Sequence, residues 1–173
     1  MILVTVGTHN QPFDRLVRAM DTLAEEIDER VVIQLGVSTY QPRHSNYFDF
    51  TNSQHMVDLT AEARIIVAHA AAGAVLICLK QRKPLIVVPR LQAFKEHRDN
   101  HQLQLAKALH ASGRAFALGD ISLKSLRRAL DRAPELDPAP YTHIALATAL
   151  RSQLRIWSAN YSQADEGQVE SKV

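Results

Sequence analysis

Apolar positions along the chain alternate between two textures. Short, mostly apolar runs stand at residues 2–6, 31–35, 65–68 and 85–88, and the last, Leu85-Ile86-Val87-Val88, has no polar interruption. Such runs suit strands buried on both faces of a parallel sheet. Between them the apolar residues recur at helical spacing. Leu16, Val17, Met20, Leu23, Ala24 and Ile27 form one stripe from Phe13 onward, and Leu103, Leu105, Ala106 and Leu109 form another. A helix is predicted over 54–62, and a further one carries Val75, Leu76, Cys78 and Leu79. Residues 37–46 read as a loop and 47–50 as a short strand. Gly113 supplies a helix stop, 115–118 a short strand, and Ser122 the cap of a helix carrying Leu123, Leu126 and Leu130. Pro134, Pro138 and Pro140 make a stiff connection to a last helix over 141–159, with Leu146, Leu150, Leu154 and Trp157 along one side. Strands alternating with helices imply βαβ units and an α/β fold, a single Rossmann-like doubly wound parallel sheet. One domain is expected over 1–160, with a polar, disordered tail over 161–173.

Composition narrows the classes. The chain has 173 residues, is 46% hydrophobic and carries a net charge of +2. That supports a substantial core and argues against a nucleic-acid partner. The one cysteine, Cys78, lies within an apolar helical pattern and reads as a small buried hydrophobe. No apolar run approaches about 18 residues and no basic leader precedes residue 2, so neither a membrane span nor a signal peptide is expected. The expectation is a cytoplasmic protein whose membrane contact is indirect, through a partner.

Candidate chemistry gathers at three strand-to-helix mouths, the edge where open α/β sheets bind ligands. The first is Gly7-Thr8-His9-Asn10, with Pro12 near the helix start. It reads either as a tight turn or as a loop that brings backbone close to a phosphate. It lacks the dinucleotide glycine pattern. At the second, His69 precedes Ala70–Ala74, a run containing Ala72 and Gly73. Small side chains there leave N–H groups open to a diphosphate, although close helix–sheet packing also wants Ala and Gly, and His69 is equally readable as a structural histidine. The third holds Glu96, His97, Arg98, Asp99, Asn100, His101 and Gln102. It is either a solvated charged loop or a set of amides and imidazoles suited to sugar hydroxyls, with Arg90 and Arg98 placed to neutralise phosphate. Together these mouths suggest a nucleotide sugar. No His, Asp and Glu set has clean ligand spacing, so a metal centre fits less well, and no cofactor is expected.

Three segments then carry a family resemblance. VTVGTHNQPFDRLV, IIVAHAAAGAVL and KPLIVVPRLQAFKEHRDNHQLQLAKAL resemble the C-terminal, donor-binding domain of family-28 glycosyltransferases, over about residues 1–130. More closely, they resemble stand-alone catalytic subunits of two-component enzymes, of which the bacterial exopolysaccharide branch looks nearer than the eukaryotic N-glycan branch. The resemblance implies half of a GT-B fold, with the acceptor-binding half on another, membrane-associated polypeptide. It implies transfer of a hexosyl group from a UDP-sugar to a lipid-linked acceptor, without a required metal. Gly7 and Thr8 would lie near the diphosphate, as would His69, Ala72, Gly73 and Ala74. Glu96, Asn100, His101 and Gln102 would read the sugar and ribose, and Phe50 and Met56 would lie near the uracil. Gly7, Gly73 and Arg90 would stabilise the departing charge. The base that deprotonates the acceptor is expected on the partner, with His9 the one nominee on this chain, and residues 141–160 are nominated for the partner contact.

The chain departs from that pattern at Ala71, where the family has glycine, at Ala74, where it has Ser or Thr, and at Ile77, where a ribose-binding Glu stands in a relative. These departures motivate the alternative of a non-catalytic UDP-sugar-binding or scaffold subunit.

Overall fold

The computed structural model describes residues 1–136. Six strands, β1 (Ile2–Thr5), β2 (Val31–Gln34), β3 (Asn46–Phe48), β4 (Ile65–His69), β5 (Leu85–Val88) and β6 (Phe116–Ala117), form one sheet in the order β3-β2-β1-β4-β5-β6. Every pairing is parallel, with Ile2 level with both Val31 and Ile65. The helices are α1 (Asp14–Glu26), α2 (Ser53–Glu62), α3 (Ala72–Lys80), α4 (His101–Ala111) and α5 (Leu123–Arg132). The winding reverses between β1 and β4, so a crevice opens at their carboxyl ends.

The side-chain alternation of the strands divides the interior. Ile2, Val4, Ile65, Val67, Ile86 and Val88 pack with Leu16, Val17, Met20 and Leu23 of α1 and with Leu126, Ala129 and Leu130 of α5. Each Val, Ile, Leu or Met side chain so removed from water stabilises the fold by about 1.5–3 kcal/mol before chain entropy is counted. The intervening residues, Leu3, Thr5 and Ile66, point to the opposite face and line a cavity described below.

The expected elements are present with shifted ends. β3 starts at Asn46, inside the expected loop, because its register pairs Asn46 with Val32. α4 stops at Ala111 and Gly113 takes a positive φ of 68° beyond it. Ser122 caps α5 as anticipated, its side chain accepting from the Ser125 N–H. A short 3-10 turn, Gln92–Phe94, lies within the charged loop. The predicted last helix, its apolar stripe, the partner contact at 141–160 and the tail at 161–173 lie outside the described residues.

Candidate functional site

A cavity of about 380 Å³ lies at the β1/β4 crevice, between the sheet and helices α2 and α3. Gly7, Thr8, His69, Gly73 and Ala74 from the first two mouths line it, and Phe50 and Met56 form part of its apolar wall. Seven residues of the expected donor site thus share one space. The start of α3 faces it with nothing in the way. Ala71, the N-cap, offers no side-chain cap. The first helical bond runs from the Val75 N–H to the Ala71 carbonyl, at 3.1 Å. The N–H groups of Ala72, Gly73 and Ala74 therefore have no acceptor among the described residues, and the helix dipole adds a partial positive charge there. A methyl group built on Gly73 would meet no atom within 4 Å. This end of the cavity suits an anion of phosphate size.

Gly7 is fixed by two neighbours. Its φ is +78°, and a β-carbon on it would lie 2.3 Å from the His69 ring. The Gln34 side chain reads both its backbone groups: the Gly7 N–H donates to Gln34 Oε1 at 3.0 Å, and Gln34 Nε2 donates to the Gly7 carbonyl at 2.9 Å. Thr5 Oγ1 donates to the same Gln34 oxygen at 2.7 Å. A buried amide thus continues the ladder between β1 and β2 past its last backbone pair. Gly36 completes the turn, since a β-carbon there would lie 2.7 Å from the Gly7 carbonyl oxygen.

His69 closes the cavity floor. Burial, with Arg90 adding repulsion, pushes its pKa down to about 4, so the imidazole is neutral at pH 7. Its Nδ1 is buried without a hydrogen-bond partner among the described residues. The thiol of Cys78, also on the cavity wall, is pushed up to about 12 by burial and stays protonated, in keeping with the reading of a small hydrophobe.

The third mouth is built differently from the expectation. Arg90, placed from sequence as a phosphate partner, is fully enclosed. Its guanidinium donates to the carbonyls of Val6 (2.8 Å), Gln11 (2.8 Å), Pro12 (3.2 Å) and Glu96 (3.2 Å). Pro89 ends the buried strand immediately before it, and the side chain turns inward beneath the mouth. It contributes charge from below and has no free fork for a phosphate. Burial lowers its pKa to about 10, so it remains a cation at pH 7. Glu96 is also interior: its carboxylate accepts from Arg15 at 2.8 and 2.9 Å and from the Leu91 N–H at 3.0 Å. Gln102 is buried too, and its Oε1 accepts from the Arg90 N–H at 3.0 Å. These three do not line the cavity; they hold the loop that follows β5. Asn100 and His101 stay at the surface of that loop, where Asn100 Oδ1 accepts from the Gln92 N–H at 3.1 Å.

His9, also at the first mouth, does not line the cavity. Its ring packs 4.7 Å from that of His97, and its Nδ1 accepts from the Gln11 N–H at 3.2 Å. Burial first, then repulsion from His97, Arg90, Arg98 and His101, holds its pKa below the usual imidazole value. A neutral imidazole can accept a proton, the property a general base needs.

Sequence reasoning passed over Thr5, Gln34, Asn52 and Thr60, all of which line the cavity. Gln34 carried a signal: an amide inside an otherwise apolar strand must find partners when buried. Asn52 carried another, as a good N-cap residue ahead of a predicted helix, and its side chain accepts from the His55 N–H at 2.8 Å.

The comparisons with known proteins agree with this architecture. The human protein named UDP-N-acetylglucosamine transferase subunit ALG13 is 34% identical over 127 residues, covering 66% of this chain and 11% of that protein. The mouse protein of the same name is 33% identical over 124 residues, covering 65% and 10%. The chain thus spans about a tenth of the length of these relatives. Both carry the transferase-subunit name, and neither supports the expectation that a polysaccharide branch lies nearer. Among solved structures, an NMR structure of ALG13 superposes with a TM-score of 0.59 at 21% identity, over 90-odd per cent of that chain (93%) and 86% of this one. The glycotransferase of kitacinnamycin superposes with the same TM-score, 0.59, at 21% identity, over 90% of this chain and 39% of that one. The sheet is therefore that of the C-terminal half of a GT-B glycosyltransferase. Residues 1–149 match the glycosyltransferase family 28 C-terminal domain, and the chain belongs to that family.

Proposed function

We propose that this chain is the donor-binding, catalytic subunit of a two-component glycosyltransferase. It holds a UDP-sugar and passes its hexosyl group to a lipid-linked acceptor, presented by a membrane-associated partner that docks through residues 141–160. In this reading the protein works at the cytoplasmic face of the membrane. The uracil lies against Phe50 and Met56, and the diphosphate lies at the start of α3. Negative charge that builds on the departing diphosphate is met by the N–H groups of Ala72, Gly73 and Ala74, backed by the helix dipole. The acceptor hydroxyl loses its proton to a base on the partner or to His9. The reading takes no step through a metal.

The observation that carries the proposal is the cavity itself, in which an uncapped helix start, Gly7 and an apolar wall face one another. Gly73→Asp tests it. A carboxylate in the first turn favours the helix, and the position has open space, so the fold should be as stable as before. The same carboxylate should repel a diphosphate and weaken UDP binding by calorimetry at least about tenfold, since about 1.4 kcal/mol suffices for that factor. UDP binding that is absent in the natural chain, or equal in the variant, overturns the assignment.

A second reading, a non-catalytic binding or scaffold subunit, is favoured by Ala74, which lacks the hydroxyl the family has there, and by the further departures at Ala71 and Ile77, all three on the cavity lining. Transfer assays with the partner present separate the two. UDP-N-acetylglucosamine is the donor to try first, given the names of the relatives.

A further inference from the structure

A second constellation, outside the cavity, spans the turn ahead of α4 and the first residue of that helix. His97, Asp99 and His101, the last opening α4, alternate along the chain, and one ligand atom from each lies within 4.8 Å of the others. His97 Nδ1 stands 3.3 Å from Asp99 Oδ1. That matches the spacing of roughly 3.3 Å between neighbouring ligands of a tetrahedral ion held at about 2.0 Å. His101 Nδ1 meets the same carboxylate oxygen. The Asp99 N–H donates to His97 Nδ1 at 3.4 Å, so that nitrogen turns its lone pair toward the loop while a carboxylate oxygen faces it. An ion placed between these groups would take over lone pairs that now serve the hydrogen bonds among them.

We propose that His97, Asp99 and His101 form a binding site for a divalent transition-metal ion of the zinc class. Imidazole and carboxylate are ligands such an ion accepts, and three protein ligands leave a fourth position for water. The set is too poor in oxygen for calcium and too rich in imidazole for magnesium. Solvent has access: the side chains of Asp99 and His101 are 59% and 33% exposed. His97, at 12% exposure, is the anchored ligand, its ring packed against that of His9. Such outer support holds a ligand ring in place. The bound ion would replace the hydrogen bonds of Asp99 and tie the loop after β5 to the start of α4.

The test is a Zn²⁺ titration of the full, tag-free chain by calorimetry, repeated with Co²⁺ to read the visible absorption of a low-coordinate site. One equivalent of ion should bind. His97→Gln and Asp99→Asn should each weaken binding at least about tenfold, and the double variant should lose the stoichiometric phase. Asp99→Asn is isosteric at a largely exposed position, and circular dichroism verifies that each variant is folded. A natural chain that binds no stoichiometric Zn²⁺, or a folded double variant with the same isotherm as the natural chain, overturns the proposal.

Discussion

Gly7 shows how much one residue decides. Its positive φ alone disfavours any other residue, and the His69 ring fills the place of the missing side chain. Gly7→Ala should therefore cost about 2–4 kcal/mol in denaturant unfolding, combining backbone strain with the displacement of a buried ring. Gly73→Ala, with open space and an ordinary backbone, should be neutral or slightly stabilising by the same measurement. The sequence shows both glycines at strand-to-helix mouths but does not distinguish them. Their difference arises from contacts across the sheet, which spacing along the chain does not encode. Arg90 is misread for the same reason: a cation at a mouth looks like a phosphate partner until the carbonyls of Val6, Gln11 and Pro12 are found around it.

Among the elements, the loop after β5 depends on that arginine. Its guanidinium joins the turn after β1 to the loop after β5, with its face over the Phe13 ring at 4.7 Å from the centroid. Arg15, partly exposed, makes a second tie to the buried Glu96 in the same junction. Arg90→Met would leave the carbonyls unsatisfied and should cost about 3–5 kcal/mol in thermal or denaturant unfolding. Arg90→Lys should recover little of this, since one ammonium cannot span a planar fork of acceptors. The elements themselves are legible in the sequence because hydrophobic periodicity and caps are local: β5, α5 and its Ser122 cap fall as expected. The proposed metal site is not legible, because two of its three residues, His97 and Asp99, sit on an irregular turn, where side-chain direction follows no period.

At the scale of the whole molecule, acid should weaken the fold in two stages. The folded pKa of His69, about 4, lies below its unfolded value of 6.5. Above 6.5 both states are neutral and the group has no effect. Below it the unfolded chain takes up a proton that the folded chain refuses, so stability falls as pH drops. The loss should reach about 2 kcal/mol by pH 5 and about 3 kcal/mol once the pH is below 4. Asp21 acts in a lower window. Burial raises its pKa, but hydrogen bonds from the Arg43 and His44 N–H groups and from Tyr40 outweigh this and hold it below the usual carboxylate value, so its contribution is lost only on stronger acidification. Unfolding free energies measured at pH 7 and pH 5 should differ less in His69→Gln than in the natural chain. The doubly wound topology, by contrast, is visible from the alternation of elements alone, since parallel strands and right-handed crossovers leave few other arrangements.

The interlock of Gly7 with His69 also orders the routes by which this mouth can evolve. A side chain cannot arrive at position 7 while the imidazole stands where its first carbon would go. The ring must shrink first, and only then can Asn or Asp, which tolerate that dihedral, replace the glycine. Descendants of this chain can reach a polar group at the crevice by one order of steps, and the reverse order passes through an unstable intermediate.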